Sequence, residues 1–251
     1  MIKPSLNVAS KVPPVTLSFW IIKILATTVG ETGGDALSMT MQLGYAVSSL
    51  IFLVFFFISV AAQISAKAFY PFLYWAVIIT TTTVGTTMAD FADRSLGIGY
   101  EGGSALLFVG LMLVLLLWKR SQGSVSVSTI KTEKGEMFYW LTILFSQTLG
   151  TALGDYLTDS SGIGYEGGAL VFIGALSLVA IAYFYTNISH ILLFWMAFIL
   201  TRPLGATLGD LLTKPLSMGG LNLSRISSSL IILLFMVIGI LVTNRQKNSK
   251  A

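Results

Sequence analysis

Five acidic residues fall in or beside apolar runs long enough to enter a membrane: Glu31, Asp35, Asp90, Asp155 and Asp210. They recur at fixed distances from a tryptophan. Positions 7, 11 and 15 after it read Thr27, Glu31, Asp35; Thr82, Thr86, Asp90; Gln147, Thr151, Asp155; and Arg202, Ala206, Asp210. Residues four apart share one face of a helix, so each triplet forms a polar stripe, which Lys23 extends in the first. Ionisable groups inside a membrane are costly, and they line cavities, pair, or carry ions and protons. Only Lys23 and Arg202 offset the five acids along the stripe, an excess of three negative charges that a cation relieves.

Carboxylates, threonine hydroxyls and an amide are hard oxygen donors, suited to Mg²⁺, Mn²⁺ or Ca²⁺ rather than copper or zinc. Glu31, Asp35, Asp90, Asp155 and Asp210 are therefore the candidate metal ligands, and Thr27, Thr82, Thr86, Gln147 and Thr151 the rest of the cation pathway. Glu31 pairs with Arg202 or Lys23, as a structural tie or a gate. Glu101 and Glu166, in two copies of GIGYEGG, are placed at the outer mouth. With no cysteine and the single histidine His190, the chain has no disulfide, thiolate site, bis-histidine haem or three-histidine zinc centre. No nucleophile pair stands out, so an enzyme is not expected, although an aspartyl dyad among the four stripe Asp residues stays open. Beyond the transported cation no cofactor is implied.

The elements that position these residues follow from composition. The chain of 251 residues is 55% hydrophobic and 10% charged, with mean hydropathy +0.83. A soluble domain carries about 25% charge. A polytopic membrane protein fits instead, eight crossings using about 160 residues. The first apolar run contains Lys23, Glu31 and Asp35 and lacks a cleavage pattern, so it reads as a retained anchor and not a signal peptide.

Four segments align without a gap: FWIIKILATTVGETGGD, YWAVIITTTTVGTTMAD, YWLTILFSQTLGTALGD and FWMAFILTRPLGATLGD. Trp20, Trp75, Trp140 and Trp195 are followed at fixed spacing by Gly30, Gly85, Gly150 and Gly205, then by the four Asp, then by Gly44, Gly99, Gly164 and Gly219. Such self-similarity marks a repeated supersecondary unit, here a polar tryptophan-led helix and a second apolar helix. The predicted organisation is a tail at 1–13, repeats at 14–66 and 67–118, a solvent-exposed linker at 119–136, repeats at 137–186 and 187–243, and a tail at 244–251. The fold class is an all-α membrane protein of eight transmembrane helices in four parallel repeats. Odd helices line a pseudo-symmetric centre and even helices face the lipid bilayer.

Lys3, Lys11, Lys67, Lys119, Arg120, Lys131, Lys134, Arg245, Lys247 and Lys250 fall on the side of the tails, against Arg94, Lys214 and Arg225 on the other. The positive-inside tendency places both termini in the cytoplasm and the Asp ends outside. It also accounts for the net charge of +4 without nucleic acid. At about 1.5 Å per residue each Asp lies roughly 22 Å from its tryptophan, near the outer edge of the bilayer core.

Over residues 14 to 243 the chain resembles a bacterial membrane-protein family of four tandem repeats of unknown function, each with two transmembrane segments and a tryptophan. KVPPVTLSFWIIKILATTVGETGGD, YWLTILFSQTLGTALGDYLTD and LTRPLGATLGD carry the resemblance. It implies a bacterial inner-membrane location and brings no catalytic residues. Repeat four has GGLNLSR in place of GYEGG, and the Glu31 position is Thr, Thr and Ala elsewhere, so the centre is not truly fourfold.

The leading expectation is a transporter for a hard divalent cation, manganese being the favoured example. A monovalent cation channel is prompted by TTTTVGTT. However, TTVG lies within the first helix, and the few residues from Asp90 to Gly99 cannot hold a pore helix and a carbonyl filter. A membrane scaffold or sensor, with the stripe as its glue, is the third reading.

Overall fold

A computed structural model describes residues 11–130 and 132–248, with the side chains of 129, 247 and 248 left out. Residues 1–10 of the first tail, 249–251 of the second, and with them Lys3, Lys131 and Lys250 of the basic side, lie outside the described residues. Those described form eight α-helices and no strand: α1 (Leu17–Asp35), α2 (Gly44–Ser65), α3 (Pro71–Asp90), α4 (Tyr100–Gln122), α5 (Glu133–Asp155), α6 (Gly164–Tyr185), α7 (His190–Thr213) and α8 (Arg225–Asn248). Their starts have local causes. The Thr16 and Thr132 hydroxyls accept from the backbone N–H of Phe19 and Gly135, and Pro71 opens α3 where no intrahelical donor is needed.

Six helices, α2, α3, α4, α6, α7 and α8, are long and apolar enough to cross a membrane. The other two are the most polar: α1 carries Lys23, Glu31 and Asp35, and α5 opens on Glu133-Lys134-Gly135-Glu136 and holds Ser146 and Gln147.

The odd helices form a closed ring in which α1 packs on α3, α3 on α5, α5 on α7, and α7 on α1. The even helices pack outside it with a shift of one place: α2 lies on α3, α4 on α5, α6 on α7, and α8 returns to α1. Each apolar helix thus covers the polar helix of the next repeat, and α8 joins the two ends of the chain. The residue before each tryptophan contacts the tryptophan of the neighbouring repeat, with ring centroids 5.5 Å apart for Phe19 and Trp75, 5.6 Å for Tyr74 and Trp140, 6.3 Å for Tyr139 and Trp195, and 5.7 Å for Phe194 and Trp20. Edge and tilted contacts of this kind suit the aromatic quadrupole. Inside this aromatic layer the buried hydroxyls of Tyr74 and Tyr139 share a 2.6 Å hydrogen bond.

The glycines ten residues after each tryptophan have one role repeated four times. A methyl group on Gly30 would fall on the Thr82 side chain, on Gly85 3.1 Å from Gln147 Cβ, on Gly150 against Arg202, and on Gly205 against Thr27. The position-7 residue of one repeat therefore fits into the glycine notch of its neighbour, which lets the backbones approach as small residues do in membrane bundles. One layer further, Gly34 receives Thr86, Gly154 receives Ala206, and Gly209 receives Glu31.

After Asp35, Asp90 and Asp155 the chain makes a five-residue π-helical turn, at Ala36–Thr40, Phe91–Ser95 and Tyr156–Ser160. Gly44, Gly99, Gly164 and Gly219 then all take positive φ, between 65° and 82°, which explains glycine at that register in every repeat. Repeat four departs: α7 runs on to Thr213, and Lys214 is extended because Pro215 follows it. The linker is shorter than the sequence predicts, since α4 continues to Gln122 and α5 starts at Glu133. It is also not a free loop, because Val125, Val127 and Ile130 pack on the main core.

Candidate functional site

The stripe positions converge on two layers inside the ring. The inner layer centres on Arg202, whose side chain is 0% exposed. Its Nη2 lies 3.0 Å from Glu31 Oε2, donates to Thr151 Oγ1 at 2.6 Å and to Thr86 Oγ1, and approaches the Thr82 carbonyl at 3.5 Å. Nη1 reaches the Thr27 carbonyl at 3.5 Å. One guanidinium thus joins all four odd helices. Pro203, directly after it, removes a backbone donor within α7 and packs against α5 at Gly150 and Gly154.

Of the two partners left open for Glu31, the structure selects Arg202. Lys23 faces away from the carboxylates: its Nζ lies 3.9 Å from the Phe198 ring centroid and 3.4 Å from Thr201 Oγ1. The Thr86 hydroxyl lies within hydrogen-bonding reach of Glu31 and the Gly30 carbonyl, and the Thr27 hydroxyl within reach of the carbonyls of Lys23, Ile24 and Thr201. Gln147 is fully buried and, among the described residues, neither of its amide atoms is hydrogen-bonded, nor is Thr82 Oγ1.

The outer layer divides the four Asp into pairs. Lys214 Nζ lies 3.0 Å from Asp35 Oδ2 and 3.1 Å from Asp210 Oδ1, and Arg225 approaches Asp35 at 3.5 Å. Arg94 Nε lies 2.8 Å from Asp90 Oδ1, and its Nη2 is 3.5 Å from both Asp155 and Asp159. Tyr100 donates to Asp159 at 3.0 Å. All four stripe Asp are buried. Burial works against the Lys214 ammonium, yet Asp210 and Asp35 beside it hold its pKa well above the ordinary lysine value.

The structure corrects the charge count. Arg94, Lys214 and Arg225, assigned from sequence only to orientation, are the counter-ions of the Asp layer, so with Arg202 four bases pair with the five stripe acids, and Lys23 stands apart. The i to i+4 spacings of Asp90 with Arg94 and of Asp210 with Lys214 were the available signal. Nor do the five acids form one ligand set. Glu31, Asp35 and Asp210 each offer an oxygen within 4.8 Å of the others, all three residues buried, whereas Asp90 and Asp155 turn to Arg94. Glu101 and Glu166 are exposed in the first turns of α4 and α6 and, among the described residues, take no part in these ion pairs; Asp159 and Tyr100 hold that place instead.

Chemically, the three-carboxylate group can hold a hard cation by oxygen alone, and Lys214 is the cation that the chain itself supplies there. Arg202 places a further positive charge on the aromatic side of that group.

No curated protein and no solved structure matches the chain. A family model described as a Repeat of Unknown Function (DUF347) matches residues 18–69, 73–124, 138–189 and 193–248. Each match runs from an odd helix through the even helix that follows it, and together they cover nearly all of the eight-helix ring, so the chain belongs to that four-repeat family.

Proposed function

We propose that the protein is a multi-pass transporter of a hard divalent cation, such as manganese or magnesium, in the bacterial inner membrane. Glu31, Asp35 and Asp210 form its binding site between the odd helices. The observation that carries this reading is the approach of these three buried carboxylates to within 4.8 Å of one another. Buried carboxylates are expensive without a counter-charge, and Lys214 occupies that role in the resting state. An arriving cation displaces the ammonium, and Lys214 returns when the ion leaves. Arg202 below and the aromatic layer beyond it close the route on one side, which favours a gated transporter over an open monovalent channel.

The membrane arrangement follows the same reading. All eight helices cross, the four repeats run parallel about an axis along the membrane normal, and the termini are cytoplasmic, as the basic residues indicate. Contacts of helix start with start and of Asp end with Asp end support this arrangement. The mostly exposed apolar surfaces of α2, α4, α6 and α8 suit lipid.

The pairing of all five stripe acids with Arg94, Arg202, Lys214 or Arg225 favours one other reading, a static scaffold whose ion pairs hold the bundle. The two differ in flux. Purified protein in liposomes is tested for divalent-ion movement across a panel of metals, with Glu31→Gln and Asp210→Asn beside the parent. The transport reading requires flux in the parent and its loss in both variants; absence of flux in the parent for every ion, or equal flux in all three proteins, overturns it.

A further inference from the structure

We infer that the groove between α6, α7 and α1 binds one acyl chain of a membrane phospholipid. The groove has a volume of about 620 Å³ and a mainly apolar lining that includes Trp20, Ile24, Leu176, Tyr183 and Phe194. It lies on the tryptophan side of the ring.

Its occupant follows from the fourfold repeat. An even helix lies over one odd helix and leaves a groove toward the next, so the ring generates four equivalent grooves. The repeat relates Leu193, Phe194 and Ala197 of this one to Ser18, Phe19 and Ile22, and Thr16 and Trp20 to Pro71 and Trp75. Those five related residues line the second cavity, of about 250 Å³, between α8, α1 and α3. The third groove, between α2, α3 and α5, is crossed by the chain itself. Lys11 Nζ bonds the Ile64 carbonyl of α2 at 2.9 Å and pairs with Glu136 of α5, the repeat counterpart of Thr16, at 2.6 Å. Val12 packs on the core beside it. The fourth, between α4, α5 and α7, is filled by the linker: Trp195, the counterpart of Trp20, donates its indole N–H to the Val125 carbonyl at 3.0 Å and Ile130 packs inward, while Ser126 and Val127 reach the edge of the first groove.

Two of the four grooves are thus covered by segments of the chain itself, whereas the one between α6, α7 and α1 is touched only at its edge, by Ser126 and Val127, and is left for an apolar segment from elsewhere. The bilayer supplies one. Between His190 and Thr201 the groove follows α7 for about 16 Å at 1.5 Å per residue, close to half of a hydrocarbon core about 30 Å thick. Its flanks, Leu17 at 76% exposure and Phe184 at 76%, continue into the apolar outer surface, so an acyl chain enters sideways from one leaflet. Its mouth carries Thr16 and His190, where a headgroup meets polar side chains.

The full chain, released from phospholipid nanodiscs, is weighed by native mass spectrometry beside Ala180→Phe/Ala197→Phe, which fills the groove, and Ala61→Phe on the exposed face of α2. One retained phospholipid is expected on the parent and on Ala61→Phe, and at least a fivefold lower occupancy on the double variant. In a second measurement, phospholipid with brominated acyl chains quenches tryptophan emission in the parent, and Trp20→Phe removes that quenched component; this readout needs no groove-filling variant to fold. A parent without an adduct, equal adducts on all three proteins, detergent exchanging freely for the lipid, or quenching unchanged in Trp20→Phe overturns the inference. So does higher occupancy in a variant lacking residues 1–10, which identifies the amino end as the natural occupant.

Discussion

Arg202 of α7 and Glu31 of α1 form a fully buried ion pair, with Nη2 3.0 Å from Oε2. The hydroxyls of Thr86 and Thr151 complete the shell around the guanidinium and bring α3 and α5 into the same contact. Removing one member of a buried pair leaves an uncompensated charge at a cost of about 3–5 kcal/mol, whereas replacing both with apolar groups is often close to neutral. Arg202→Met and Glu31→Met should each lower the thermal unfolding midpoint in detergent well below the parent, and the double variant should recover most of the loss. A double variant less stable than either single one would contradict this account of the centre.

The glycine notches give a second stability prediction. A Cβ on Gly205 would collide with the Thr27 hydroxyl and lie 2.8 Å from the Thr27 carbonyl carbon, backbone that cannot rotate away. Gly174, on α6, has nothing within 4 Å of an added Cβ. Overpacking costs about 1–3 kcal/mol or more, and replacing an unconstrained helical glycine with alanine gains about 0.5–1 kcal/mol. Gly205→Ala should therefore destabilise the protein and Gly174→Ala should leave it equal or firmer, as read by chemical denaturation in detergent micelles.

Much of this fold was legible because the repeat is written in residues whose constraints are steric. Tryptophan-aromatic pairs, notch glycines and left-handed glycines cannot be exchanged freely, so their spacing survives as a pattern. The shift that puts α2 on α3 and returns α8 to α1 was not legible, since an apolar helix such as LIFLVFFFISVA carries no mark of which polar helix it covers. The outer half of the site was missed for a related reason. Lys214 reaches Asp35 only because Pro215 turns it out of the helix, and Arg94 reaches Asp155 only by way of the π-helical turn that follows Asp90.

The orientation can be read directly because the chain has no cysteine to give background labelling. Ser128 is exposed within the linker and Ser95 at the end of the turn after α3, at opposite ends of the ring. In intact cells a membrane-impermeant maleimide should modify Ser95→Cys, and should reach Ser128→Cys only after the membrane is permeabilised. The reverse pattern would invert the proposed topology.

Lys214 supplies the most direct test of the carboxylate site. Its raised pKa means that the ammonium persists, and its pairing with Asp35 and Asp210 stays in place, below the ordinary lysine value; the pairing is lost only as pH climbs past the raised one. Across the neutral range a divalent ion must therefore displace a charged side chain, and deprotonation gives no help between pH 6 and 9. Lys214→Met removes that competitor while leaving Glu31, Asp35 and Asp210. Manganese affinity, measured at neutral pH by electron paramagnetic resonance of the free ion, should rise about tenfold or more in this variant. Lys214→Arg keeps the charge and should bind no more tightly than the parent. If Lys214→Met unfolds, manganese itself should restore its melting midpoint, since a ligand that binds only the folded state stabilises it by mass action. A folded Lys214→Met with unchanged manganese affinity would show that the ammonium and the metal do not share a seat, and would leave the three carboxylates as a structural tie.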